Sequence, residues 1–147
     1  MKDSLLLTIF AGVSVFVLGQ FFLKLVLDPI VEMKSTLGRL SALFLREQAK
    51  ITNARANEET QKELKKMASE LLARRQAIPS YKIMGWIFGL PSSDRILSAC
   101  KSLNWIAFHV LEDAPKIPPK QDVPIEIYKE MKSIQENLGV VIAYETL

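Results

Sequence analysis

Between Asp3 and Lys24 the chain runs for twenty residues without a charged side chain. Residues 5–23 read LLLTIFAGVSVFVLGQFFL, and Leu25, Val26 and Leu27 carry the apolar run past Lys24. A helix needs roughly 20 such residues to cross a hydrocarbon core of about 30 Å. Apolar side chains occupy every helical position of the stretch, so no face of it suits water. Lys24 lies one turn from the end, where its stem can follow lipid while its ammonium reaches the headgroups. Asp28 and Pro29 then read as the cap and first residue of a fresh or kinked helix, since proline at that position gives up no hydrogen bond. The expectation is a transmembrane anchor over residues 1–28 and a helical domain over residues 29–147.

A cleaved signal peptide is the main rival, because Val17-Leu18-Gly19 offers residues small enough for processing. Against it, the apolar region exceeds the roughly 7–15 residues of a signal core, the only basic residue before it is Lys2, and apolar sequence resumes after Gly19. Orientation follows from Lys24, Lys34, Arg39 and Arg46 on the far side of the span. They outweigh Lys2 and the amino terminus, which predicts an inner (plasma) membrane protein with its N-terminus out and its C-terminal domain cytoplasmic. The single cysteine, Cys100, excludes an intrachain disulfide and suits a reducing compartment. A net charge of +3 with interleaved signs is no nucleic-acid footprint.

Within the span, Ser4, Thr8, Ala11, Gly12, Val15 and Gly19 project within an arc of about 100°. A stripe of small residues lets two helices approach closely, so Ser4, Thr8, Gly12 and Gly19 are candidates for self-association. Gln20, off the stripe, can hydrogen-bond to a neighbouring helix.

After Asp28 the pattern becomes striped. Ile30, Met33, Leu37, Leu40, Phe44 and Ile51 predict one apolar face of a helix from Pro29 to about Thr52, with Glu32, Arg39, Arg46 and Lys50 opposite. Asn57, Glu58 and Glu59 mark the start of a second helix that carries Leu64, Met67, Ala68, Leu71, Leu72 and Ile78 and ends at Pro79. The short link between them predicts an antiparallel hairpin. Lys62, Lys65 and Lys66 with Glu58, Glu59 and Glu63 form the lattice of a solvated face.

The segment SYKIMGWIFGLP, residues 80–91, is apolar on all sides yet too short to span. It either dips into the leaflet with Tyr81, Lys82, Trp86 and Phe88 at headgroup level or closes the bundle as a short buried helix. Ser92 or Ser93 caps a further helix to about Glu112, with Ile96, Leu97, Cys100, Leu103, Ala107, Val110 and Leu111 inward. Trp105 and Phe108 make it greasier than a surface helix, which predicts central burial or a partner. APKIPPKQDVP, residues 114–124, is a connector. A last helix carries Ile127, Met131, Ile134 and Leu138 and ends near Gly139, and VVIAYETL after it packs as a short strand or docks extended.

The succession FVLGQFFLKLVLDPI, a striped helix, LLARRQAIPSY and GLPSSDRILSACKSLNWI resembles small bacterial single-span inner-membrane proteins over residues 5–106. The resemblance implies a membrane address and no activity.

Chemistry is sparse. Cys100 and His109 lie nine residues apart on one predicted helix, about 180° around it from each other, and cannot pair as nucleophile and base. Cys100 reads as a core filler and His109 as a polar residue on the helix flank. No metal-ligand spacing, phosphate loop or nucleophile elbow occurs, so no cofactor is expected. The fold expected is all-α, an N-terminal transmembrane helix followed by a cytoplasmic bundle of four or five helices. The function expected is a non-enzymatic, membrane-anchored interaction or scaffold subunit, with the bilayer and a second copy or a membrane protein as partners. The alternative is a membrane-perturbing effector, such as a toxin or an antiviral-defence component.

Overall fold

Helix α1 (Lys2–Phe22) passes through a π-helical turn (Leu23–Leu27) into α2 (Asp28–Thr52) without a break in this computed structural model, which describes residues 2–111 and 123–144. The fresh start expected at Asp28 is absent. Leu27 keeps helical dihedrals (φ −73°, ψ −44°), and no side chain caps the junction. The Asp28 carboxylate instead accepts from the Lys24 ammonium at 3.0 Å, one turn back. Pro29 explains the wide turn. Its ring would press on the carbonyl four residues earlier and it has no amide hydrogen to give that carbonyl. The Asp28 amide donates to the Leu23 carbonyl, five residues back, and the extra width accommodates the ring without ending the helix.

Along α2 the predicted stripe is inside: Ile30, Met33, Leu40, Phe44 and Ile51 are buried and Leu37 is half-buried. Leu43 and Thr36 are also buried, the Thr36 hydroxyl donating to the Glu32 carbonyl at 3.0 Å. The turn after α2 uses Ala54 in the left-handed region (φ 51°) and ties to the distal end of the bundle, where the Ala56 amide donates to the Val110 carbonyl at 3.0 Å.

Helix α3 (Glu58–Ala77) starts where the sequence predicts, the Asn57 side chain accepting from the Thr60 amide at 2.9 Å. It runs antiparallel to α2. Arg46 pairs with Glu63 (2.7 Å), Arg39 with Glu70 (2.8 Å) and Arg74 with Glu32, each step down α2 matching a step up α3. Exposed pairs of this kind contribute at most about 1 kcal/mol each, so they report the register more than they hold it.

Short α4 (Tyr81–Phe88) leads to α5 (Ser93–His109), capped by Ser92, whose hydroxyl accepts from the Arg95 amide at 3.4 Å. Helix α5 lies between α3 and α6 (Val123–Leu138). That central place explains its apolar surplus: Ile96, Ala99, Cys100, Leu103, Ile106, Ala107 and Val110 are buried. Leu97, expected inside, is 46% exposed because it falls between the two packed sides. Helix α6 buries Ile127, Met131, Ile134 and Leu138 and ends at Gly139, whose φ of 67° favours glycine. The following residues dock extended rather than as a strand, burying Val140, Ile142 and Ala143, while the Ser41 hydroxyl donates to the Val141 carbonyl. The expected connector lies outside the described residues over positions 114–122; its last two, Val123 and Pro124, open α6.

Truncating the fully buried Leu103 to Ala is expected to cost about 2–5 kcal/mol, against less than about 1 kcal/mol for Leu97→Ala. Chemical denaturation of the detergent-solubilised chain followed by circular dichroism measures both.

Candidate membrane and docking surfaces

In residues 4–25 every described side chain except half-buried Ser14 is exposed. Helix α1 therefore stands clear of the bundle as an apolar rod. The most apolar window of this helix has a mean hydropathy of 2.2 and none of it is buried. A core helix of a soluble protein would bury such a window. Its thirteen Leu, Ile, Val and Phe residues between 5 and 23 are together worth roughly 4–8 kcal/mol for insertion into a bilayer. No charged side chain in the stretch opposes that gain; the Gln20 carboxamide is its largest polar group. Two of the polar hydroxyls are quenched within the helix: Thr8 donates to the Ser4 carbonyl and Ser14 to the Phe10 carbonyl, both at 2.8 Å. A methyl group added at Gly12 or Gly19 would meet nothing within 4 Å, so both positions of the small-residue stripe face open space on α1.

The α2–α3 register locates the rest of the surface. Arg74 sits opposite Glu32, and three further residues of α3 advance about 4.5 Å, to the level of Asp28 and Pro29. The chain thus leaves α3 where the apolar rod begins. The turn through Ser80, left-handed at φ 47°, then starts α4 at that level. Val26, in the π turn, packs against the same core as Met84, Phe88 and Leu90.

Helix α4 has two apolar faces, which is why its sequence looks apolar on all sides. Tyr81 and Gly85 are buried and Met84 and Phe88 half-buried against the core. Tyr81, expected among headgroups, is turned inward: its hydroxyl donates to the Pro91 carbonyl at 2.7 Å, and the Arg75 guanidinium lies 5.7 Å from its ring centroid. Burial pushes its phenol pKa up, opposed by the Arg75 charge. The Tyr81 ring packs over Gly85, where an added β-carbon would lie in van der Waals contact with it at 3.4 Å. Phe88 belongs to the packed face as well. The outward face carries Lys82, Ile83 (58% exposed), Trp86 (85%) and Ile87 (55%). Gly89 (φ 66°) ends the helix, and the Leu90 amide donates back to the Gly85 carbonyl at 2.8 Å. Ile83 and Ile87 complete this exposed apolar face although composition alone did not single them out; their i, i+3, i+4 relation with Trp86 was the available signal.

The two chemically versatile side chains are not brought together. The Cys100 thiol donates to the Ala68 carbonyl at 3.4 Å, towards α3. His109, nine residues and about 13 Å further along α5, bonds its Nδ1 to the Trp105 carbonyl at 2.9 Å. Since a carbonyl only accepts, that nitrogen carries the hydrogen. His109 is not on the flank as expected but buried, stacked 4.1 Å from Trp105 with Phe108 edge-on at 4.9 Å. Among the described residues no group of three His, Cys, Asp or Glu is placed to hold a metal ion, and every buried side-chain nitrogen or oxygen has a hydrogen-bond partner.

Burial pushes the Cys100 thiol from its ordinary 9.0 to about 11, leaving almost no thiolate near neutrality. The folded chain is therefore expected to resist a maleimide at pH 8 and to label fully in denaturant, as mass spectrometry would record. Because the folded thiol holds its proton more tightly than the unfolded one, its stabilising contribution is complete below pH 9 and is lost towards pH 11. No family model, curated protein or solved structure matches the chain.

Proposed function

We propose that this protein is a non-enzymatic, single-span scaffold or interaction subunit, anchored by α1 in the bacterial inner membrane and oligomeric there. The observation that carries the reading is the exposed apolar rod of residues 4–25, joined without a linker to a packed helical bundle. The length of the apolar run and its resumption after Gly19 weigh against a cleaved leader. The basic residues after the span, Lys24, Lys34, Arg39 and Arg46, support a cytoplasmic bundle with the N-terminus out. Tethering concentrates bundles in two dimensions, where association costs less entropy than in solution. The small-residue stripe of Ser4, Thr8, Gly12 and Gly19 supplies one contact between copies. A second reading, the membrane-perturbing effector, draws on the outward apolar face of α4. Growth arrest or depolarisation on overexpression, abolished by Ile83→Ser with Trp86→Ser, favours it over the scaffold.

The chain is expected to stay in the membrane pellet through carbonate washing, and a reporter fused after Leu147 to behave as cytoplasmic. Release into the supernatant overturns the span, and a periplasmic signal overturns the orientation.

Gly12→Leu with Gly19→Leu is expected to weaken oligomers in detergent modestly, since helix contacts in lipid are worth on the order of 1 kcal/mol each. Mass measurement of the detergent complex, compared with a fragment lacking residues 1–27, separates assembly through α1 from assembly through the bundle. A strictly monomeric wild type removes the oligomer and leaves a tethered adaptor.

A further inference from the structure

We propose that the outward face of α4 is a second membrane contact, with Trp86, Ile83 and Ile87 set into the headgroup boundary of the bilayer that α1 crosses. The inference rests on the reading of α1 as a span, and adds to it a fixed orientation of the bundle.

Position carries the first part. The Arg74–Glu32 pair brings the end of α3 level with Asp28, so α4 begins where the apolar rod enters the bundle. The bilayer surface that meets Lys24 on α1 is the surface nearest to α4. Chemistry carries the second. A short helix that presents an indole, two isoleucines and a lysine has the make-up of an interfacial contact, and its eight residues, about 12 Å long, cannot span. Lys82 on the same face suits anionic headgroups, as does Arg75 at the rim, whose guanidinium rests on the neutral Ser93 hydroxyl at 3.0 Å.

Contiguity carries the third. The other exposed apolar residues of the bundle, such as Leu97, Phe108, Ile125 and Tyr128, are spread over α5 and α6, which is ordinary for a protein surface. Ile83, Trp86 and Ile87 form one patch, continuous in level with the exposed rod. The inward face of α4 is already filled by Tyr81 and Gly85 against the core, so the patch is free to face lipid without unpacking the helix.

Tryptophan fluorescence tests this in the full chain, one copy per phosphatidylcholine–phosphatidylglycerol nanodisc. Trp105→Phe leaves Trp86 as the sole tryptophan. Expected are a blue-shifted emission, loss of most of its intensity in discs of chain-brominated lipid, and poor quenching by aqueous acrylamide. Ile83→Ser with Ile87→Ser should restore acrylamide access while the chain stays in the carbonate-washed pellet. A water-like Trp86 spectrum in a chain that resists carbonate overturns the α4 contact alone. A chain that carbonate releases overturns the span and this inference together. A Trp86 shielded only when several copies share a disc assigns the patch to a second copy and overturns the lipid contact. Should Trp105→Phe disturb the fold, a spin label on Ile87→Cys, with buried Cys100 out of the label's reach, reads the same depth from its relaxation by oxygen and by aqueous nickel.

Discussion

Proline at position 29 forces a choice on any helix that reaches it, because the ring crowds the carbonyl four residues back and withholds an amide hydrogen. The chain resolves the conflict by widening five residues, Leu23–Leu27, into a π turn. Everything else about the molecule's shape depends on that solution. A broken helix would have left the apolar segment on a hinge. An unbroken one makes α1 and α2 a single shaft, so the bundle to which α2 belongs has a defined position relative to the rod. On the proposed reading of α1 as a span, continuity also keeps backbone groups bonded within the helix at the bilayer edge, where an unpaired amide or carbonyl near hydrocarbon would cost several kcal/mol.

The bundle is built around α5. Its side chains meet α3 on one side and α6 on the other, and fully burying a single Leu or Ile contributes about 1.5–3 kcal/mol. The ion pairs between α2 and α3 are each worth a fraction of that. Packing thus decides that α3 is antiparallel to α2, and the pairs Arg46–Glu63, Arg39–Glu70 and Arg74–Glu32 follow from it. Their value is selective: a shift of α3 by one turn would break all of them at once.

Elements that announce themselves locally were legible from sequence. The stripes of α2, α3 and α6, the Asn57 and Ser92 caps and the Gly139 terminus depend on spacing and on one side chain each. The misreadings come from residues whose fate is set by distant neighbours. Asp28 has the chemistry of a cap, but the helix before it did not stop, so its carboxylate faces Lys24 instead. Tyr81 has the chemistry of a headgroup anchor, yet its hydroxyl finds the Pro91 carbonyl ten residues on and its ring covers Gly85. His109 is buried because Trp105 and Phe108 wrap its ring and a backbone carbonyl satisfies Nδ1, none of which requires a charge. The level of α4 relative to the span exists only once the α2–α3 register is known.

A single spanning helix would fix where the bundle sits but not which side of it faces lipid. Rotation about the shaft stays free, and with it the direction in which α5 and α6 present their outer surfaces. On the proposed reading α4 removes that freedom. Helix α3 delivers it about one helix spacing, 8–10 Å, off the α2 axis, where even a modest lipid contact exerts leverage against rotation. Two attachments, one axial and one lateral, then hold every copy in the same pose. Copies that share a pose lose less orientational entropy on meeting, which favours assembly in the plane without any larger contact between them. Helical continuity through the π turn is what makes this possible: with a flexible joint at Asp28, a lateral contact would orient only itself.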